Sequence, residues 1–312
     1  MKEIVQNTTE WENKILEKIE DKEYRKDLLK RGIKVTVHGE EDFPEAFYEY
    51  EKMPKFIFYK GNLPNFRTPI VSIIGARACS NYGRKTAKEL ARDFSNNGVQ
   101  VVSGLAMGID SFAAIGALEG ETPTFAVLGC GVDMCYPTEN IALCDEIIKQ
   151  GGGIISEYPP GDEPLRWHFP ARNRIISALS DAVIVVEARK RSGSLITVEW
   201  ALEQGKDVYA VPGRISDKMS EGCNKLIKSG ANMITSVGDV IEDIYVEASD
   251  NPNISVRKDL AKLYACVEDT PKSTDQIMQS SGLSLEETLN QLMQLQMLGL
   301  VKEVSTGVYV LN

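Results

Sequence analysis

The stretch PIVSIIGARACSNYG (69–83) decides how this chain is read. Its first half is a near-continuous apolar run. Its second half opens with a glycine and a cation, Arg77, and passes into a helical pattern, YGRKTAKELARDFSNNG (82–98). Strand, glycine turn and helix make one unit, and the unit recurs. Apolar runs stand at VQVVSGLA (99–106), TPTFAVLG (122–129), GIISEY (153–158), AVIVVEA (182–188) and DVYAVPG (207–213). Helical patterns such as SLITVEWALEQGK (194–206) lie between them. Apolar strands alternating with helices give a parallel sheet covered on both faces. Right-handed crossovers then make an α/β, Rossmann-like, doubly wound domain, with ligands at the carboxyl ends of its strands.

The 312 residues allow about two domains. Residues 1–66 read as a short helical N-terminal region (WENKILEKIEDKEYRKDLLKRG) with a connecting segment, in which KFIFYKGN is a short strand and a turn. Residues 67–245 are the Rossmann-like domain. Residues 246–256, with EASDNPN, are a linker, and 257–312 form a separate tail. No run of eighteen apolar residues occurs, so no membrane span is expected. The polar start MKEIVQNTTEWENK does not read as a secretory signal. Six cysteines contain no CxxC pair, which with only two histidines argues against a zinc site. Free thiols fit a cytoplasmic location. The formal charge of −10 gives no global attraction to nucleic acid, so any anion site must be local.

The strand ends are where such a site can be built. They read GARACSNYG, SGLAMGIDS, GCGVDMCYP and EARKRSGSLIT. Glycine lets backbone N–H groups approach a ligand, and a following helix N-terminus adds about half a positive charge. The segment HFPARNRIISALSD (168–181) adds Arg172 and Arg174 at the start of an apolar helix. Arginine suits bidentate phosphate contact. Each feature also has a plainer reading. Gly104 and Gly108 can simply close a turn. Arg77 can pair with Asp110 or Glu157. Arg172 and Arg174 can cap carbonyls, and Ser192–Ser194 can be an N-cap. His168 has no serine or cysteine motif beside it and reads as structural. There is no G-x-G-x-x-G, no P-loop, no G-x-S-x-G and no H-E-x-x-H, so neither cofactor nor metal is expected.

Five strings in order resemble the DprA/Smf family: VSIIGARACSNYG, VVSGLAMGIDSFAA, AVLGCGVDMCYPTEN, the long run from SEYPPGDEP to DVYAVPG, and GCNKLIKSGA. The likeness covers roughly residues 40–245. It implies a cytoplasmic homodimer that binds and protects single-stranded DNA in natural transformation. It also implies that the protein loads the RecA recombinase and is not an enzyme. By this resemblance the phosphate-binding residues are Arg77; Ser103, Gly104, Ala106 and Gly108; Arg172, Asn173 and Arg174; and Ser192, Gly193, Ser194 and Thr197. Some members carry a lysine just after the tyrosine–proline pair. Here Thr138 and Glu139 follow, which leaves that contact absent or replaced by the Arg189–Arg191 loop. The N-terminal segment is short for the sterile-alpha-motif-like domain of some members. Single strands also need aromatic platforms, for which Tyr82, Tyr136, Trp167 and Phe169 are candidates.

The tail reads as a winged helix: helices at RKDLAKLYACVED, STDQIMQSSG and SLEETLNQLMQLQMLG, then a hairpin around Thr306–Gly307. Its five basic and seven acidic residues, with Glu286 and Glu287 on the recognition-like helix, point to protein docking or dimer support instead of DNA contact. Two other classes compete for the function. Phosphoribohydrolase-like enzymes of the lysine-decarboxylase-like group share such a sheet, but their PGGxGTxxE signature fails against RSGSLITVE. A scaffold with no ligand is the third.

Overall fold

The computed structural model describes residues 2–249, 260, 263–264, 266–267, 270–297 and 300–311. Two compact units are formed. One runs to Phe66 and resumes over Ile70–Val237; the other holds Arg67–Pro69 and the chain from Gly238 onward.

Each of the six apolar runs contains a strand. These are β3 (Ile70–Ile74), β4 (Gln100–Ser103), β5 (Thr124–Val127), β6 (Gly153–Ser156), β7 (Ala182–Val185) and β8 (Asp207–Ala210). Helices α3 (Asn81–Asn96), α4 (Ile109–Leu118), α5 (Ile141–Lys149), α6 (His168–Ala178) and α7 (Ser194–Glu203) connect them. All six strands are parallel, in the order β6-β5-β4-β3-β7-β8. The order reverses between β3 and β7. That is the topological switch point, where the loops after the two strands diverge and leave a crevice.

The sheet is wider than those six strands. Residues 1–66 supply α1 (Lys2–Glu20) and α2 (Lys22–Lys30), split at Asp21, whose carboxylate caps α2 by accepting from Glu23 N–H at 2.9 Å. They also supply β1 (Lys34–Val37) and β2 (Phe56–Gly61), which extend the sheet antiparallel beyond β6. The N-terminal region is therefore part of the same sheet. At the other edge, α8 (Glu221–Lys228) leads to the short strand β9 (Asn232–Met233), paired with β8.

Alternation along the strands divides the core. Ile57 and Tyr59 of β2, Phe125 and Val127 of β5 and Ile155 of β6 face one cluster, with Ile175, Ile176 and Val198 from α6 and α7. Phe56, Phe58, Ala126 and Ile154 face the other, with Ile15, Ile19, Leu28 and Ile147 from α1, α2 and α5. Both faces of the sheet are buried, which is why the strands lack the polar alternation of a one-sided sheet.

Helix α9 (Gly238–Ser249) belongs to the second unit and continues unbroken past residue 245, so the start of the expected linker is helical. Residues 250–256 lie outside the described residues, as does most of the helix expected over 257–269. The winged-helix pattern follows. Strand β10 (Lys272–Ser273) precedes α10 (Thr274–Ser281), which has a capping box between Ser273 and Gln276 and ends at Gly282 with φ +67°. Helix α11 (Leu285–Met297) is capped reciprocally: Glu287 N–H donates to Ser284 Oγ (3.2 Å), and Ser284 N–H donates to Glu287 Oε2 (3.0 Å). Strands β11 (Val301–Ser305) and β12 (Val308–Leu311) form the wing.

Candidate nucleic-acid interface

A cleft of about 800 Å³ opens at the switch point. The loop after β3 brings Arg77 to it, and the loop after β7 brings Arg189, Arg191 and Ser192–Ser194. The segment leading into α6 adds Arg166, and α6 itself adds Phe169, Arg172 and Asn173. Tyr136 closes one wall.

The loops are held by buried carboxylates. Glu187, just past β7, is almost fully enclosed. It accepts from Ser80 N–H (2.8 Å) and Ser80 Oγ (2.5 Å), so it clamps the Arg77 loop where α3 begins. Asp110, in the first turn of α4, accepts from Gly104 N–H at 3.1 Å and shapes the loop after β4. Within that loop Leu105 has φ +51°, a left-handed backbone unusual for a non-glycine residue. Ser103 Oγ accepts from Leu105 N–H (3.2 Å), and Asn140 Nδ2 donates to Leu105 carbonyl (2.8 Å). Gly108 has φ +86°, and a Cβ there would meet the Arg77 carbonyl oxygen at 2.3 Å. The two loops touch through this glycine.

The structure divides the expected site residues. Arg77, Ala106, Arg172, Asn173, Ser192, Gly193, Ser194 and Thr197 line the cleft. Gly104 lines a small pocket shared with Arg77, Tyr136, Phe169 and Arg172, while Ser103 and Gly108 build the loop behind the cleft. Gly104 leaves room for Arg172, whose Nη2 would lie 2.7 Å from an added Cβ. Arg172 itself is buried. Its Nη1 donates to the carbonyl oxygens of Gly104 (2.7 Å) and Val127, while its Nε has no partner. Burial lowers its guanidinium to about 10, with Asp110 pulling the other way. Burial likewise pushes the Asp110 carboxyl up to about 6, against the opposing influence of Arg172.

Arg174 points elsewhere. It forms a buried bidentate pair with Glu157, Nη1 to Oε1 at 2.7 Å and Nη2 to Oε2 at 2.5 Å, and its Nε donates to the Lys52 carbonyl at 2.6 Å. It does not line the cleft, so the structure places it in the framework and not with the expected phosphate-binding residues: residues two apart on a helix face different sides. His168 is buried too. Its Nδ1 lies 3.0 Å from the Gly129 carbonyl and its ring stacks on Tyr158 at 3.7 Å, with burial lowering its pKa.

Arg77, Arg166, Arg189 and Arg191 are exposed and, among the described residues, none lies within ion-pair distance of a carboxylate. Arg77 sits over the Phe169 ring at 5.4 Å, and Phe169 lies 5.4 Å from Tyr136. The N-terminus of α7 stands at the same loop, where Leu195 and Ile196 N–H donate to the Ser192 and Gly193 carbonyls (3.1 and 3.2 Å) and Ser192 Oγ and Ser194 Oγ are 2.8 Å apart. Tyr82 is outside the cleft, with its hydroxyl 3.4 Å from the Pro212 carbonyl, and Trp167 is exposed beside Arg166. Sequence reasoning did not select Arg166 or Glu187. Arg166 carried a usable signal, standing two residues before HFPARNR in a polar, proline-rich stretch. Glu187 carried none, because it reads as the end of an apolar strand.

A doubly wound sheet with arginines, an aromatic pair and a helix N-terminus at its switch point defines a Rossmann-like protein with a local cationic cleft on an acidic chain. The model of the family described as DNA recombination-mediator protein A matches residues 34–245, and that of the DprA winged helix domain matches 247–306. DNA processing protein DprA of Streptococcus pneumoniae is 47% identical over 201 residues, covering 64% of this chain and 71% of that one. Protein Smf of Escherichia coli is 35% identical over 278 residues, covering 86% and 74%. The solved structure of the pneumococcal protein matches with a TM-score of 0.63 at 42% identity, covering 69% of this chain and 77% of that one. That of DNA processing protein A from Helicobacter pylori, described for its single-stranded DNA binding mode, gives 0.61 at 33%, covering 68% and 96%. The chain belongs to the DprA/Smf family of DNA recombination mediators.

Proposed function

We propose that this protein binds single-stranded DNA through the switch-point cleft. One observation carries the reading: four exposed arginines, none in an ion pair among the described residues, converge with the N-terminus of α7 on one crevice of a chain whose net charge is −10. A cationic concentration of that kind on an acidic protein matches a polyanion laid along the cleft. Arg77, Arg189, Arg191 and the Ser192–Ser194 turn hold backbone phosphates, with Asn173 and Thr197 at the floor. Tyr136 and Phe169 supply the apolar surface on which a base stacks. The Helicobacter pylori relative, whose structure is described for its single-stranded DNA binding mode, supports this assignment.

Membership of a recombination-mediator family supports a cellular role of the following kind. A homodimer in the cytoplasm protects incoming single strands and passes them to RecA during transformation or recombination. It acts by binding, without catalysis. The test is a fluorescence-anisotropy titration of labelled oligo-dT, with unlabelled nucleoside monophosphate as competitor and base release monitored in parallel. Binding that only longer oligonucleotides displace supports the assignment. Tight binding of a monophosphate with release of free base would replace it with the phosphoribohydrolase-like reading.

A further inference from the structure

Cys135 and Cys144 lie nine residues apart in sequence and face each other across two elements. Cys135 is in the loop between β5 and α5, immediately before the cleft residue Tyr136. Cys144 is in the second turn of α5. Their sulfurs are 2.7 Å apart, and both are free thiols. A disulfide needs about 2.0 Å between sulfurs, so roughly 0.7 Å of travel separates the pair from a bond. Cys135 is partly exposed, whereas Cys144 is buried behind it.

We propose that Cys135 and Cys144 form a dithiol–disulfide pair that oxidises in place and ties the Tyr136 wall of the cleft to α5. The oxidant class is a low-molecular-weight disulfide, RSSR. The Cys135 thiolate attacks one sulfur of RSSR, forming a mixed disulfide and releasing RS⁻. Cys144, losing its proton to solvent, attacks the Cys135 sulfur and expels the second RS⁻. Both leaving thiolates take up protons, so two cysteine thiols and RSSR become one protein disulfide and two RSH.

The surroundings assign the order of attack. The Cys144 thiol donates a hydrogen bond to Cys135 sulfur, which lowers the Cys135 pKa and raises that of Cys144. Burial pushes Cys130 up to about 11 and Cys223 up to about 12, so these two stay inert. The accessible thiol is therefore the nucleophile and the buried one is the resolving partner.

The test uses the full chain as purified. It is incubated with glutathione disulfide without denaturant, then quenched with iodoacetamide, digested and mapped by mass spectrometry. The expected result is one crosslinked peptide pair joining Cys135 to Cys144, with Cys130 and Cys223 alkylated only after unfolding. The Cys144→Ser variant should instead hold a stable glutathione adduct on Cys135. Hydrogen exchange of residues 131–137 should slow in the oxidised wild type. A wild-type protein that keeps both thiols free, or that accumulates the Cys135 adduct without closing the bond, would overturn the proposal. Unchanged exchange in the crosslinked protein would overturn the tether.

Discussion

Arg172 and Arg174 are two residues apart on α6, yet one reaches into the strand ends beneath the cleft and the other pairs with Glu157 away from it. Successive even-spaced side chains on a helix diverge by about 200°, so both cannot serve one ligand face. The pair illustrates how the fold uses arginine twice, as framework and beside the ligand surface.

Arg174→Ala leaves the Glu157 carboxylate buried without its partner. The expected loss of stability is about 3–5 kcal/mol, measured by urea denaturation. A fully stable variant with lowered DNA affinity would instead place Arg174 at the ligand.

Arg77→Ala is expected to behave in the opposite way. Arg77 is exposed, its guanidinium lies over the Phe169 ring, and among the described residues no carboxylate is within ion-pair distance of it. Removing a charged hydrogen-bond donor from a phosphate costs roughly 1.5–3 kcal/mol of binding, on the order of ten- to hundredfold. The melting temperature should stay close to that of the wild type. Parallel thermal melts and titrations check both halves.

Gly108→Ala tests the contact between the two loops. The added methyl would meet the Arg77 carbonyl oxygen at 2.3 Å, at a φ of +86° that alanine rarely adopts. A destabilisation of more than about 1 kcal/mol is expected, together with weaker DNA binding, because the Arg77 loop must shift. Unfolding and titration curves identical to wild type would show that the loops are independent.

Acidification acts through Asp110. Its carboxyl is raised by burial from 3.8 to about 6 in the folded protein. Between those values the folded state binds a proton that the unfolded chain lacks. This group's contribution to stability is therefore fully present below about pH 4 and lost as pH rises through about 6. The cleft also loses a negative charge on protonation. Affinity for oligo-dT should rise several-fold from pH 7.5 to 5.5 in the wild type, and Asp110→Asn should flatten that rise.

The winged-helix unit is predicted to leave strand binding alone. Helix α11 carries Glu286 and Glu287 in its first turn and no basic residue, while Leu285, Leu289 and Met293 are exposed along it. Phosphate contact needs cations, so Leu289→Asp in the full chain should keep oligo-dT affinity within about twofold.

The six parallel strands were legible because a strand buried on both faces leaves an unbroken apolar run, as in IVSII and AVIV. The outer strands were harder to read. β2 is legible as a short strand in KFIFYKGN, but its antiparallel pairing with β6 and the strand β1 are not, and β9 is two exposed residues long. Eight cleft residues followed from motif resemblance, but their division of labour did not. Whether a glycine lines a ligand surface or builds the loop behind it depends on contacts such as Gly108 with Arg77, which no local pattern encodes. The Arg174–Glu157 pair spans 17 residues and a change of element, beyond the reach of helix spacing.

The most direct measurement is the salt dependence of oligo-dT affinity for the wild type, Arg77→Ala and Arg191→Ala. Each phosphate contact on a single strand contributes about 0.7 to the slope of log affinity against log salt. The wild type should show a steep negative slope, and each variant should lose about one contact's worth of it. A wild-type affinity that is flat with salt, or variants whose slopes match it, would contradict a phosphate-holding cleft at the switch point.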